Sequence, residues 1–228
     1  MAISANASFV GMGLRTYFSL QHLQAAAYFS SQAKELEARQ LEEIPKFQVV
    51  GYATASLLSS AAFLEALANE LFADAQEEGG GHLGALDGAA RGMIATYGTF
   101  SSVQRASAKG KFDVMLQAAG KSPVSGSTID ESVKLLFDLR NELVHYKAAF
   151  FDEGTDGYVR QGAFVDHKLS RQIGGRFHPR AGNTAGGADG WLGAGCAHWG
   201  VKSALEFADE VFERLGVEPI YGHVRPVT

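Results

Sequence analysis

The sequence predicts an all-α fold: an antiparallel up-and-down helical bundle with a long glycine-rich insertion before its last helix. Three observations predict it. Apolar residues return at steps of three and four along several long segments, which is the spacing of one helix face. Strand-like alternation is confined to one short run, residues 157–165. Glycine is concentrated late in the chain, with eight between 174 and 195, inside a stretch (148–196) that carries no helical seam. The 228 residues suit a single domain, 1–228, with 148–196 as a loop insertion.

The elements follow in order. Helix formers fill residues 19–44, and Pro45 then stands where proline fits the first turn of a new helix. That second helix, 46–77, carries Leu57, Ala61, Leu64, Ala68 and Leu71 as a continuous apolar seam. Its first half is dense in Ala and Ser, which admits a neighbouring helix closely, and Gly79-Gly80-Gly81 stops it. Weaker helices are predicted over 83–100, which Gly88, Gly92 and Gly98 interrupt, and over 102–119. The Ser/Gly/Pro-rich residues 122–128 form a turn. Thr128 or Asp130 caps the next helix, which runs to Tyr146 or Lys147. The last helix spans 197–215, buries Val201, Leu205, Ala208, Phe212 and Leu215, and ends at Gly216.

Composition narrows the function classes. With 46% hydrophobic and 20% charged residues, the chain can bury a core and is not disordered throughout. A formal net charge of -5 excludes a protein that coats nucleic acid over its whole surface, so a polyanion must be gripped at a local patch. The single cysteine, Cys196, excludes an internal disulfide framework and favours a reducing compartment, so a cytoplasmic location is expected. Residues 1–13 lack Lys and Arg and do not read as a secretory leader. Residues 47–64 are uncharged and near membrane-span length. Their Gln48, Gly51, Thr54, Ser56, Ser59 and Ser60 fit a packed soluble helix better, so no membrane is expected.

The informative stretch is residues 135–147. On a helix at about 100° per residue, Leu135, Leu136, Leu139, Leu143 and Tyr146 share a core face. Lys134, Asp138, Asn141 and His145 form a polar stripe. Arg140 projects between them beside Val133, Phe137 and Val144, where a guanidinium needs an anionic partner or a route to solvent.

The run Leu139-Arg140-Asn141-Glu142-Leu143-Val144-His145-Tyr146-Lys147 resembles the signature of HEPN domains, in which Arg and a polar residue precede His after a short gap. The layout of residues 46–215 is similar to that family, whose members are up-and-down helical bundles with this motif on a late helix. The resemblance implies a metal-independent endoribonuclease, of the kind found as toxins or antiphage effectors. It implies catalytic roles for Arg140 and His145. The chemistry suits the residue types: imidazole exchanges a proton near neutrality, and a guanidinium neutralises charge growing on phosphorus. Asn141, one turn before His145, is placed to orient the imidazole or the phosphate. Five residues separate Arg140 from His145, so the two point about 140° apart on a straight helix. A twofold-related copy brings both pairs to one cleft, and family members are commonly homodimers of this kind. RNA is the expected substrate, and a separate antitoxin or nucleotidyltransferase-like protein is a further partner the resemblance implies. The alternative is a non-catalytic HEPN module that binds nucleotide, RNA or protein, with Arg140 and His145 making bonds inside the bundle.

Other features stand beside the motif. Glu65 and Asn69 lie on one stripe with Leu58, Ala62 and Phe72, where an acid either pairs with Arg140 or lines the cleft, or the two face solvent; they stand outside the predicted site. Arg160, Lys168, Arg171, Arg176 and Arg180, offset only by Asp166, form the one basic island. It reads as an RNA-backbone clamp with Phe177 for stacking, or as a solvated loop paired with acidic helices. Cys196, His198, His167 and His178 match no zinc spacing, and residues 182–195 lack a phosphate-loop ending. No metal and no cofactor is expected.

Overall fold

The computed structural model describes residues 16–39, 46–145, 150–154, 157–161, 172–180 and 190–226. Among them the protein is helical: α1 (Phe18–Ala38), α2 (Lys46–Ala75), α3 (Gly88–Gly98), α4 (Ser101–Gln104), α5 (Ala108–Ala118), α6 (Thr128–Val144) and α7 (Ala194–Leu215), with one-turn 3₁₀ segments at Gly81–Leu83 and Gly222–Val224. One antiparallel hairpin interrupts this pattern, β1 (Phe150–Gly154) on β2 (Gly157–Gln161), in the register Phe150↔Gln161 and Gly154↔Gly157. The predicted strand accounts for β2, and its residues 162–165 lie outside the described set. The partner β1 is an addition that the sequence pattern does not announce.

Helix α2 is the centre of the molecule, in contact with α1, α3, α5, α6 and α7. Its predicted seam of Leu57, Ala61, Leu64, Ala68 and Leu71 is wholly buried. By length and mean hydropathy, 1.4, residues 47–75 match a membrane-crossing helix; the seam residues are buried against the other helices, while Phe47 is exposed. The small residues act as foreseen. Ala26 and Ala33 of α1 and Ala53, Ser56 and Ser60 of α2 are buried, and the Ser56 hydroxyl donates to the Ala26 carbonyl at 2.9 Å. Gly200 of α7 meets α2 just as closely: a Cβ there would lie 2.7 Å from Leu57 Cδ2 and 3.7 Å from Leu136 Cδ1 of α6. The predicted stripe of α7 is buried, and Gly216 closes that helix at φ 73°.

Helix starts explain where the prediction and the fold part. The single helix expected over 102–119 is two, because Ser107 leaves helical geometry and its hydroxyl accepts from the Gly110 amide at 3.2 Å. The helix expected from 83 begins at Gly88, capped by Asp87 on the Ala90 amide. For α6 the cap is Ser127, not Thr128 or Asp130: its hydroxyl accepts from the Asp130 amide at 3.2 Å. Asp130 reaches back to the Gly126 amide at 2.9 Å, a near relative of the reciprocal capping box. Asp130 is 2% exposed and also receives Lys134 Nζ at 2.8 Å. Burial alone would raise its pKa, but the Lys134 and Gly126 hydrogen bonds and the Lys109 charge outweigh that and hold the carboxyl below its usual value.

Two helices have no side-chain cap of their own and borrow one. At the start of α1 the Ser19 amide donates to Glu70 Oε1 of α2 at 3.0 Å, and the Ser19 hydroxyl bonds the same carboxylate. At the start of α7 the Ala194 amide donates to Glu37 Oε1 of α1 at 3.1 Å. The segment after α7 is held by Tyr221, fully buried against Phe63 and Phe212, whose hydroxyl donates to Asp209 at 2.8 Å. Arg225 grips both oxygens of that carboxylate.

Candidate functional site

The motif lies on the last turn of α6. The core face is as predicted: Leu135, Leu136 and Leu139 are buried and Leu143 is half-buried, while Tyr146 falls outside the described residues. Lys134, Asp138, Asn141 and His145 are all exposed. Val144 is 51% exposed at the same end, so an apolar edge borders the polar stripe. The helix stops at Val144, earlier than the predicted Tyr146 or Lys147. His145 caps it at φ -105° and ψ 33°, and its amide donates to the Asn141 carbonyl at 2.8 Å.

Asn141 ties the motif together. Its backbone oxygen receives the His145 amide, and its side-chain oxygen receives Arg140 Nη1 at 3.0 Å. The residue expected to orient an imidazole or a phosphate therefore orients the guanidinium. Arg140 also has an ionic partner. Glu65 Oε1 of α2 stands 3.5 Å from Arg140 Nη2, with the two side chains 41% and 31% exposed. The sequence left Glu65 open between pairing with Arg140, lining a cleft and facing solvent, and the α2–α6 packing brings it beside Arg140. Asn69, four residues on, turns to α5 and accepts from Lys111 Nζ at 2.7 Å. The stripe shared with Leu58 and Ala62 was the available signal for Glu65. What it lacked was the position of α6 against α2.

Of the basic island, Arg176 and Arg180 are among the described residues, and Arg176 is not at this turn. Arg176 reaches the opposite end of α6, donating to the Ser132 hydroxyl at 3.0 Å and to Glu131 Oε2 at 3.1 Å. Ser132 and His145 are thirteen residues apart, or about 20 Å along the helix axis. Arg176 thus follows the second sequence reading, a loop paired with an acidic helix. Arg180 is buried, with its amide bonded to the Gly190 carbonyl. Phe177 is half-buried and packs on Trp199, with ring centroids 5.3 Å apart. Arg160 stands opposite Phe151 in the hairpin register; its side chain, with Lys168 and Arg171, lies outside the described residues.

Cys196 is buried on α7, and burial pushes its thiol far above the usual range. His198, two residues on, is exposed, so the two do not face one point. Among the described residues no three His, Cys, Asp or Glu side chains assemble as a metal cluster. No protein-family model, curated protein or solved structure matches this chain.

Proposed function

We propose that the protein is a HEPN-type, metal-independent endoribonuclease that works as a homodimer in the cytoplasm. In this reading it is a toxin or antiphage effector, answered by a separate antitoxin or nucleotidyltransferase-like partner. Its architecture is an antiparallel up-and-down bundle with the glycine-rich insertion before α7. The α1–α2 pairings, Ser19 with Glu70 and Phe29 with Tyr52, run in opposite senses and support the antiparallel part of that reading. The observation that carries the function is the last turn of α6: His145 exposed, and Arg140 part-exposed and oriented by Asn141. Both side chains can be reached from solvent, as groups that act on an RNA phosphate must be.

The chemistry runs through these side chains alone. One His145 takes the proton of an RNA 2′-hydroxyl, and the oxygen attacks the adjacent phosphorus. Arg140 neutralises the charge that grows on the phosphorane oxygens. The 5′-oxygen leaves with a proton from the second protomer's imidazole, and a 2′,3′-cyclic phosphate remains. Twofold symmetry supplies the second imidazole, and the Val144 edge supplies apolar area beside the cleft.

The test is cleavage in excess chelator, with cyclic phosphate ends and a His145→Ala loss of roughly 10²–10⁴-fold, the scale of one general acid or base. Light scattering should give twice the chain mass. Activity lost to chelator and restored by a divalent ion would defeat the proposal. The non-catalytic module remains the second reading. It is favoured by Arg176 and Arg180, which turn toward the protein and leave the island with less free charge for RNA.

A further inference from the structure

The Arg140 guanidinium has five N–H donors. Asn141 takes one through a 3.0 Å hydrogen bond, which ties the group to its own helix. Glu65 is a different kind of partner. Its carboxylate approaches from α2 to 3.5 Å, beyond the length of a charge-assisted hydrogen bond, and both side chains keep close to a third or more of their surface in solvent. An ion pair this open contributes little to stability. It leaves the guanidinium oriented, charge-neutralised and still reachable. A carboxylate and a phosphodiester offer a guanidinium the same thing, two anionic oxygens in one plane, and the phosphodiester can approach with better geometry.

We propose that Glu65 is the resting counter-ion of Arg140, the group that an RNA phosphate displaces when it enters the site. The proposal rests on the RNA-binding part of the reading above and extends it to specificity. Glu65 raises the threshold for binding, so that a ligand must bring a phosphate able to win Arg140 from a carboxylate already beside it. Orientation of Arg140 belongs to Asn141 and survives the exchange. Glu65 is thus a specificity residue and not a catalytic one.

The test is a double-mutant cycle on the dissociation constant for a short single-stranded RNA, using wild type, Glu65→Gln, Arg140→Gln and the double variant at fixed salt. Glu65→Gln should tighten binding roughly two- to fivefold, the scale of an exposed ion pair. In the Arg140→Gln background the same change should give no gain, because the displaced partner is gone. Turnover at saturating RNA should be unchanged in Glu65→Gln. Weaker binding or slower turnover in Glu65→Gln would make Glu65 a positioning residue and overturn the proposal. An equal gain in both backgrounds would reduce the effect to bulk charge and overturn it as well. Wild type that binds RNA with the expected cycle but cleaves none defeats the nuclease reading and leaves the counter-ion standing. Cleavage with a flat cycle does the reverse.

Discussion

The contact of Gly200 with Leu57 makes an unusual demand on mutagenesis: one substitution should change sign with its background. Alanine in place of a helix-interior glycine gains about 1 kcal/mol from backbone entropy alone. At position 200 the added methyl would sit 2.7 Å from Leu57 Cδ2, in a site where Leu57 is fully buried and has nowhere to swing. Overpacking of that kind costs about 1–3 kcal/mol, so Gly200→Ala should come out roughly 1 kcal/mol destabilising. Leu57→Ala should cost about 2–5 kcal/mol through lost burial and the cavity left behind. In that second background the obstructing Cδ2 and Cγ atoms are gone. The new methyl then enters vacated space and keeps its helical gain, so Gly200→Ala should stabilise Leu57→Ala by about 1 kcal/mol. Urea denaturation of the four variants, followed by circular dichroism, measures the cycle. Stabilisation by Gly200→Ala in the wild-type background would show that the helices do not meet as closely as described. Destabilisation by the same change in both backgrounds would show that Leu57 is not the obstruction.

Other outcomes follow from the clasp, the cap and the loop tie. Tyr221→Phe removes the buried hydroxyl from Asp209 and should cost about 1–2 kcal/mol, read as a lower urea midpoint. Burial and the Asp209 carboxylate also hold the Tyr221 phenol protonated well above its usual range, so this bond's stability is present below the free phenol's pKa and is lost in strong alkali; Tyr221→Phe should be the less alkali-sensitive protein. Asp130→Asn should cost about 1–3 kcal/mol at neutral pH. Because the folded carboxyl titrates below its ordinary value of 3.8, its contribution is present above that value and fades as pH falls through the folded pKa, so the gap between wild type and Asp130→Asn should narrow only below about pH 4. Arg176→Ala should lower the thermal midpoint by about 1–4 °C and leave RNA affinity nearly unchanged, since its charge already faces Glu131; a clear loss of affinity would restore it to the RNA clamp.

What was legible in the sequence is what depends on period. The seams of α2, α6 and α7 could be read because burial on a helix repeats every three or four residues, whatever the neighbour is. Caps were harder. Ser127, Thr128 and Asp130 are all chemically able to cap α6, and only the backbone turn selects Ser127. The break at Ser107 is hidden because a serine inside a helical pattern and a serine ending one look alike. The hairpin was hard to see because its apolar runs, Phe150-Phe151 and Tyr158-Val159, are too short to show alternation. The Arg140, Asn141 and His145 set could be proposed from sequence because it is local. The Glu65 partner and the destination of Arg176 are properties of how α2, α6 and residues 172–180 cross, and no spacing along the chain encodes them.

The borrowed caps give the chain a direction of assembly. As the protein leaves the ribosome, the start of α1 emerges with its amides unanswered, and Glu70 follows 51 residues later. The first helix gains its stopper only when nearly all of the second has been made, so the two become secure together as one early unit. The last helix is in the opposite position. Ala194 emerges 157 residues after Glu37, with the receiving carboxylate already mounted on a finished α1. Synthesis therefore delivers α7, and the clasp of Tyr221 and Arg225 that follows it, onto a prepared seat. A chain shortened from its N-terminal side through α1 loses more than one helix: it removes the seat on which the opposite end closes.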